Sequence, residues 1–292
     1  LTRYAEALDT YQQTLTIYRD LGRRQSEGSI YHNMGYIYRA QGRNEVALEI
    51  YQQALDIYGE AHDRANQASI YGNIGIMFLN EGRYDEALKM HQLALAIHED
   101  LDDIEDQASS LTNIGVVYER QGEFAAAVKA HEQALALFRQ TNNRKEEGRV
   151  LNNLGRVHLE QAEFDPALDY FQDALTLRQK IKDREGEALT RRDLGELHLA
   201  QTDYDRALRQ FSKALALEQE AGDQAGQVIT LRQIGKLYQA RGDTSDALAA
   251  YQAAIEILEN IRATAGSELG RAGFIAQYAD LYALTAALLE DG

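Results

Sequence analysis

Residues 73–95 read NIGIMFLNEGRYDEALKMHQLAL, and the same signature returns at residues 113–135 as NIGVVYERQGEFAAAVKAHEQAL and at residues 153–175 as NLGRVHLEQAEFDPALDYFQDAL. The step is 40 residues. A glycine column runs Gly35, Gly75, Gly115, Gly155, Gly195, Gly235, and an alanine column runs Ala47, Ala87, Ala127, Ala167, Ala207, Ala247. A second alanine column holds Ala54, Ala94, Ala134, Ala174, Ala214 and Ala254. A fixed period of this size marks a solenoid, in which each unit buries its apolar face against its neighbours. The pattern therefore decides the architecture and points to a binding surface.

Composition agrees. A chain of 292 residues would strain a single globular core, whereas a solenoid grows by addition. One proline, and an abundance of Ala, Leu, Glu, Gln and Arg, favour helix throughout. The absence of cysteine excludes disulfides and thiolate metal sites, and it fits a reducing, cytoplasmic compartment. A formal charge of −16 argues against nucleic acid and anionic membrane as partners. No apolar run approaches the roughly 18 residues of a membrane span, and no signal peptide is visible. The chain opens inside a repeat at Leu1, so the sequence predicts an excised piece of a longer protein.

Residues 1–26 align with the second half of a unit, six units of 40 residues fill 27–264, and residues 265–292 fall out of period. Each unit reads as two helices. The first carries apolar residues at helical spacing, such as Ile70, Ile74, Met77 and Phe78. It stops at a glycine able to turn left-handed: Gly42, Gly82, Gly122 or Gly242, with Ala162 and Thr202 as less suited substitutes. The second is expected to start behind an N-cap column of Asp85, Asp165, Asp205 and Ser245, with Pro166 at the first helical position. Polar segments such as HDRANQ (62–67) and TNNRKEE (141–147) read as loops. After a break at Gly266-Ser267, a last amphipathic helix with Phe274, Tyr278, Leu281, Tyr282 and Leu288 is expected to cap the array.

The motif N-x-G-x-x-[YFH]-x-x-x-G-x-[YF]-x-x-A-[LV]-x-x-[YHF]-x-x-A-L resembles the tetratricopeptide repeat. It covers nearly all of residues 1–262, with a period longer than the family's usual length of about 34. The family's tryptophan slot holds Tyr31, Tyr71, Leu111, Leu151 and Leu231, and its usual proline is missing. The resemblance implies an all-α right-handed solenoid of antiparallel hairpins whose first helices line a concave groove. The out-of-period C-terminal stretch is similar to the segment that joins such arrays to caspase-like CHAT protease domains in bacterial proteins. This implies a scaffold or sensor region whose partner is another protein or its own missing effector domain. Two further resemblances are kept open: the Pins-type and kinesin-light-chain adaptors, and the sensor arrays of bacterial nucleotide-switch transcription regulators.

The groove columns implied by the resemblance are the candidate site. One column holds Asn33, Asn73, Asn113, Asn153, Asp193 and Gln233. Asparagine is a mediocre helix former, and its amide offers both donor and acceptor to an extended peptide. The bland alternative is that the amides only set the stacking of repeats. Neighbouring columns hold His32, Gly72, Thr112, Asn152, Arg192, Arg232 and Tyr36, Ile76, Val116, Arg156, Glu196, Lys236. The early units thus present an apolar face and the later ones a basic face, Arg149 included, suited to a peptide with apolar and acidic parts. The same cations could instead pair with Asp193 and Glu196.

Other chemistry is weak. His91 and His131 stand in the Tyr51 column and His158 and His198 in the Tyr38 column, where each reads as an aromatic substitute stacked between repeats, not a zinc ligand. The acidic run LDDIED (101–106) lacks the glycine and spacing of a calcium loop and reads as a solvated turn. No P-loop, Rossmann fingerprint, HExxH or GxSxG occurs, so the sequence predicts no enzyme, cofactor or metal.

Overall fold

A computed structural model describes residues 2–264 and 278–290, and the described residues form fourteen α-helices and no strand. Turns of two or three residues join the two helices of each pair, and links this short fold a pair back on itself as an antiparallel hairpin. The expected all-α solenoid of hairpins is what forms.

The chain divides into two compact units, Leu1–Asn143 and Arg144–Gly292. The first holds the unpaired α1 (Thr2–Asp20) and the hairpins α2 (Arg24–Ala40) with α3 (Asn44–Glu60), α4 (Arg64–Asn80) with α5 (Tyr84–Asp100), and α6 (Ile104–Gln121) with α7 (Phe124–Gln140). The second holds α8 (Arg144–Glu160) with α9 (Phe164–Ile181), α10 (Arg184–Ala200) with α11 (Tyr204–Ala221), and α12 (Gln224–Arg241) with α13 (Thr244–Thr264). A final helix, α14 (Ala279–Glu290), packs on α13. Tyr278, Leu281 and Leu288 are buried in one cluster with Tyr251, Ala254 and Leu258. The break at Gly266-Ser267 and Phe274 lie outside the described residues.

The glycine and alanine columns set the hairpin crossing. A Cβ on Gly75 would sit 2.6 Å from Cε1 of His91 in the partner helix, and one on Gly155 would sit 2.6 Å from the Phe171 ring. The six large side chains opposite these glycines, Tyr51, His91, His131, Phe171, Phe211 and Tyr251, are all fully buried. Burying a side chain of this kind contributes about 1.5–3 kcal/mol when it is apolar, so the hairpin crossings carry much of the stability. His91 lies against Gly75 and His131 against Gly115, each within its own hairpin, so the histidines fill the slots that Tyr51 and Phe171 fill elsewhere. His158 stacks instead on Tyr170 at 5.4 Å.

The turns correct three expectations. The left-handed glycines are as read, Gly42, Gly82, Gly122 and Gly242 all having φ between 73° and 90°. Ala162 and Thr202 adopt the same conformation at φ 57° and 59°, which carries strain for a residue with a Cβ. The second helices, however, begin earlier than the expected cap column. Tyr84 and Phe164 open α5 and α9 behind Arg83 and Glu163. In α11 the cap is Asp203, which accepts from the Arg206 amide at 3.0 Å. Asp85, Asp165, Asp205 and Ser245 therefore lie inside the first turn, where the acids still favour the helix dipole. Pro166 becomes the third helical residue, a place whose amide has no helical partner to lose. The supposed loops are short: only 61–63 and 141–143 are non-helical, and the rest of each segment opens the next helix. The long period is therefore spent on helices of 17 or 18 residues, not on loops.

Candidate functional site

The polar columns lie on the first helix of each hairpin. In the first unit, Asn33 on α2 is exposed, and Asn73 on α4 and Asn113 on α6 are half-buried. The Asn73 amide donates to His32 Nε2 at 2.9 Å, a bond between adjacent hairpins. Burial holds the His32 ring below its usual pKa, so it is neutral and can accept that bond. The side chains of Asn33 and Asn113 hydrogen-bond to no described residue. Around them Tyr36 is 52% exposed, and Ile76 and Val116 are half-buried, which gives this face its apolar character.

In the second unit the corresponding face is a charged network. Asn152, 1% exposed, donates to Asp193 Oδ2 at 2.5 Å. Burial pushes the Asp193 carboxyl above its ordinary range, opposed by the Asn152 bond and by the nearby charges of Arg156 and Arg192. Glu196 is pushed up likewise by burial and by Asp193, while Gln233 donates to it from α12. Arg192 pairs with Glu218 at 3.3 Å, Arg149 with Glu146 at 2.5 Å, and Arg232 with Asp280 of α14 at 3.1 Å. Each of these four arginines, Arg156 included, thus has an acid close by. Lys236 is half-buried and forms no ion pair with a described residue, and the Asn153 amide likewise has no hydrogen-bond partner there. The expected basic face is therefore charge-matched.

Sequence reasoning missed Arg178 and Glu218, each 2% exposed. Arg178 Nη1 donates to the Gly186 carbonyl and, at 2.8 Å, to Thr190 Oγ1. Thr230 donates to Glu218 Oε1 at 2.9 Å. The signal was available in the 40-residue column Tyr58, His98, Phe138, Arg178, Glu218, Leu258, where two charges interrupt a run of rings. The two threonines likewise stand where Ile30 and Ile70 stand earlier.

This is an array of helical hairpins with polar faces on their first helices, the architecture of a repeat-built binding protein. The chain belongs to the tetratricopeptide repeat family, whose profile matches residues 1–60, 26–100, 66–140, 106–180, 146–220 and 184–260. No curated protein matches the sequence significantly. Among solved structures it is similar to the apo form of RapI, at 17% identity and a TM-score of 0.73, covering 90% of this chain and 72% of that one. A Rap protein complexed with competence and sporulation factor matches at 16% identity and a TM-score of 0.62, covering 100% of this chain and 72% of that one. A signal-transduction ATPase with numerous domains from Pyrococcus horikoshii, which carries a tetratricopeptide repeat sensor, matches at 17% identity and a TM-score of 0.61. That match covers 95% of this chain and 42% of the ATPase. At these identities the likeness is one of fold. Among the described residues no helix is long and apolar enough to cross a membrane.

Proposed function

We propose that the chain is a recognition region of a larger protein, binding a protein or peptide partner on the polar faces of its first helices. The first unit's face, with Tyr36, Ile76 and Val116, suits an apolar segment. The second unit's face, with Lys236 and the arginine network, suits an acidic one. The observation that carries this reading is the state of the asparagine column. Asn73 bonds to the adjacent hairpin, whereas Asn33, Asn113 and Asn153 keep their donors and acceptors uncommitted. Amides used only to set stacking would be bonded across each repeat. The Rap protein complexed with competence and sporulation factor supports the reading, since its fold accommodates such a partner. We further propose a cytoplasmic setting, which the absence of cysteine supports.

The test is selection of short peptides from a random display library against the whole chain. Enrichment of peptides combining apolar and acidic residues is expected. Binding should fall at least tenfold in the triple variant Asn113→Ala/Asn153→Ala/Lys236→Ala, whose side chains make no internal bond and should leave the fold intact. A second variant, Arg156→Ala/Arg192→Ala/Arg232→Ala, should lose the acidic peptides if circular dichroism shows it folded. Affinities unchanged in the first variant would overturn the assignment.

A further inference from the structure

An aspartate caps α4, α6, α10 and α12, accepting from the amide three residues on, and the α6 copy carries a second aspartate at that position. At α4, Asp63 Oδ1 accepts from the Asn66 amide at 3.2 Å, and Asp63 Oδ2 accepts from the Asn66 side chain at 2.8 Å. The preceding helix supplies Tyr58, which is 1% exposed. Forty residues on, at α6, Asp103 Oδ1 accepts from the Asp106 amide at 3.1 Å in the same way. Here the fourth residue is Asp106, whose carboxylate has no donor for the second bond. Two like charges now share a space that Asn66 fills with a complementary amide, and a cation between them would relieve their repulsion.

A second change completes the set. The Tyr58 position is His98, which is 6% exposed, and its ring makes no hydrogen bond with a described residue. Its Nδ1 lies 3.9 Å from Asp106 Oδ2, beyond hydrogen-bond range. One ligand atom from each of His98, Asp103 and Asp106 falls within 4.8 Å of the others. The backbone fixes the arrangement, since the His98 carbonyl accepts from the Asp103 amide at 3.0 Å and from the Gln107 side chain at 3.1 Å. The two copies in the second unit, Arg178/Asp183/Gly186 and Glu218/Asp223/Gly226, lack the imidazole and hold glycine where Asp106 stands.

We propose that His98, Asp103 and Asp106 bind a divalent transition-metal ion, with zinc as the best fit. One imidazole and two carboxylates make a donor set that zinc accepts, whereas calcium and magnesium favour oxygen alone. Ligands around tetrahedral zinc stand about 3.3 Å apart, given bonds of about 2.0–2.2 Å. Asp103 and Asp106 are both exposed, so rotamer changes of about 1 Å close the triangle onto the buried histidine. The fourth position is left to water. Glu99, Asp102 and Glu105 flank the three ligands in sequence and add to the negative charge of the segment. The ion ties the end of α5 to the start of α6, and so clamps one joint between repeats. The acidic run 101–106, a poor calcium loop, becomes a ligand-bearing segment once His98 is placed beside it.

Calorimetric titration of the metal-free chain with zinc chloride, in a non-chelating buffer, tests this. Saturable binding of one ion per chain is expected, together with a rise in Tm that magnesium does not reproduce. His98→Phe, which installs the ring that Phe138 supplies at the same repeat position, should fold normally and lose the binding. Asp106→Asn, which restores the Asn66 arrangement, should weaken zinc by about tenfold or more and raise the Tm of the metal-free protein. Absence of saturable binding to the wild type would overturn the proposal. So would equal binding by His98→Phe, which would move the ion to other histidines, or an equal response to magnesium, which would reduce the site to diffuse acidic attraction.

Discussion

The His91 ring occupies the space that a side chain at Gly75 would need: a Cβ there would meet its Cε1 at 2.6 Å. Gly75→Ala gains about 1 kcal/mol of helix propensity, but the ring is sealed in and cannot yield, and overpacking of this kind costs about 1–3 kcal/mol. The variant should be less stable, with a lower urea midpoint. Gly72 lies in the same helix with nothing within 4 Å of its would-be Cβ. Gly72→Ala should therefore stabilise by up to about 1 kcal/mol, and the opposite signs separate packing from propensity.

The same ring makes the first unit sensitive to acid. Burial lowers the His91 pKa from 6.5 to about 4, with no charged neighbour contributing. The unfolded chain takes up the proton first, so stability is full above pH 6.5 and falls as the pH drops toward 4. The loss reaches about 3 kcal/mol at the lower limit, since each tenfold difference in proton affinity between the folded and unfolded chain corresponds to about 1.4 kcal/mol. Phe171 and Phe211 fill the same slot elsewhere, so His91→Phe should fold. Its urea midpoint should change less between pH 7 and pH 4.5 than that of the wild type. Equal changes would place the acid sensitivity in other groups.

The periodic part of this structure was legible because it rests on absent atoms. Gly75 and Ala87 are read correctly from spacing alone, since only small residues let two helices cross that closely. The left-handed turns at Gly82 and Gly122 were legible for the same reason. What failed were features set by one hydrogen bond. Asp85 looked like a cap because it precedes an apolar run, but Tyr84 already belongs to the helix, and only backbone geometry tells the two registers apart. The candidate face was legible in its columns but not in its pairing. No sequence pattern says that Arg192 turns to Glu218 or that Arg232 meets Asp280 from beyond the last repeat.

Asn152 and Asp193 allow a test of that network from within. Removing the donor by Asn152→Leu leaves a buried carboxylate with one bond fewer, which costs about 1–3 kcal/mol. Asp193→Asn removes a charge whose folded-state pKa is raised by burial. A raised carboxyl is most favourable below its unfolded pKa of 3.8 and loses ground as the pH rises toward the folded value. At pH 7 the aspartate is therefore a liability. Asp193→Asn should keep or raise the Tm at pH 7 and flatten its pH dependence in mild acid, whereas Asn152→Leu should lower the Tm.

Arg178 and Thr190 pose the same question for the interior. Thr190 accepts from a guanidinium that is 2% exposed, at positions where the first unit has Ile70 and Tyr58. Burial lowers the Arg178 pKa, a sign that desolvation outweighs the attraction of Asp183 and Asp193. Breaking such an arrangement from one side differs from replacing it whole. Thr190→Ile alone removes an acceptor and crowds the guanidinium, so it should destabilise by about 3 kcal/mol or more. Arg178→Tyr with Thr190→Ile transplants the apolar pair of the first unit, and removing a desolvated charge in this way is neutral or stabilising by about 1–4 kcal/mol. Thermal unfolding of the single and double variants decides it. A double variant as unstable as the single one would mean that Arg178 is held by interactions beyond Thr190, with Gly186 and Asp183 as the groups to test next.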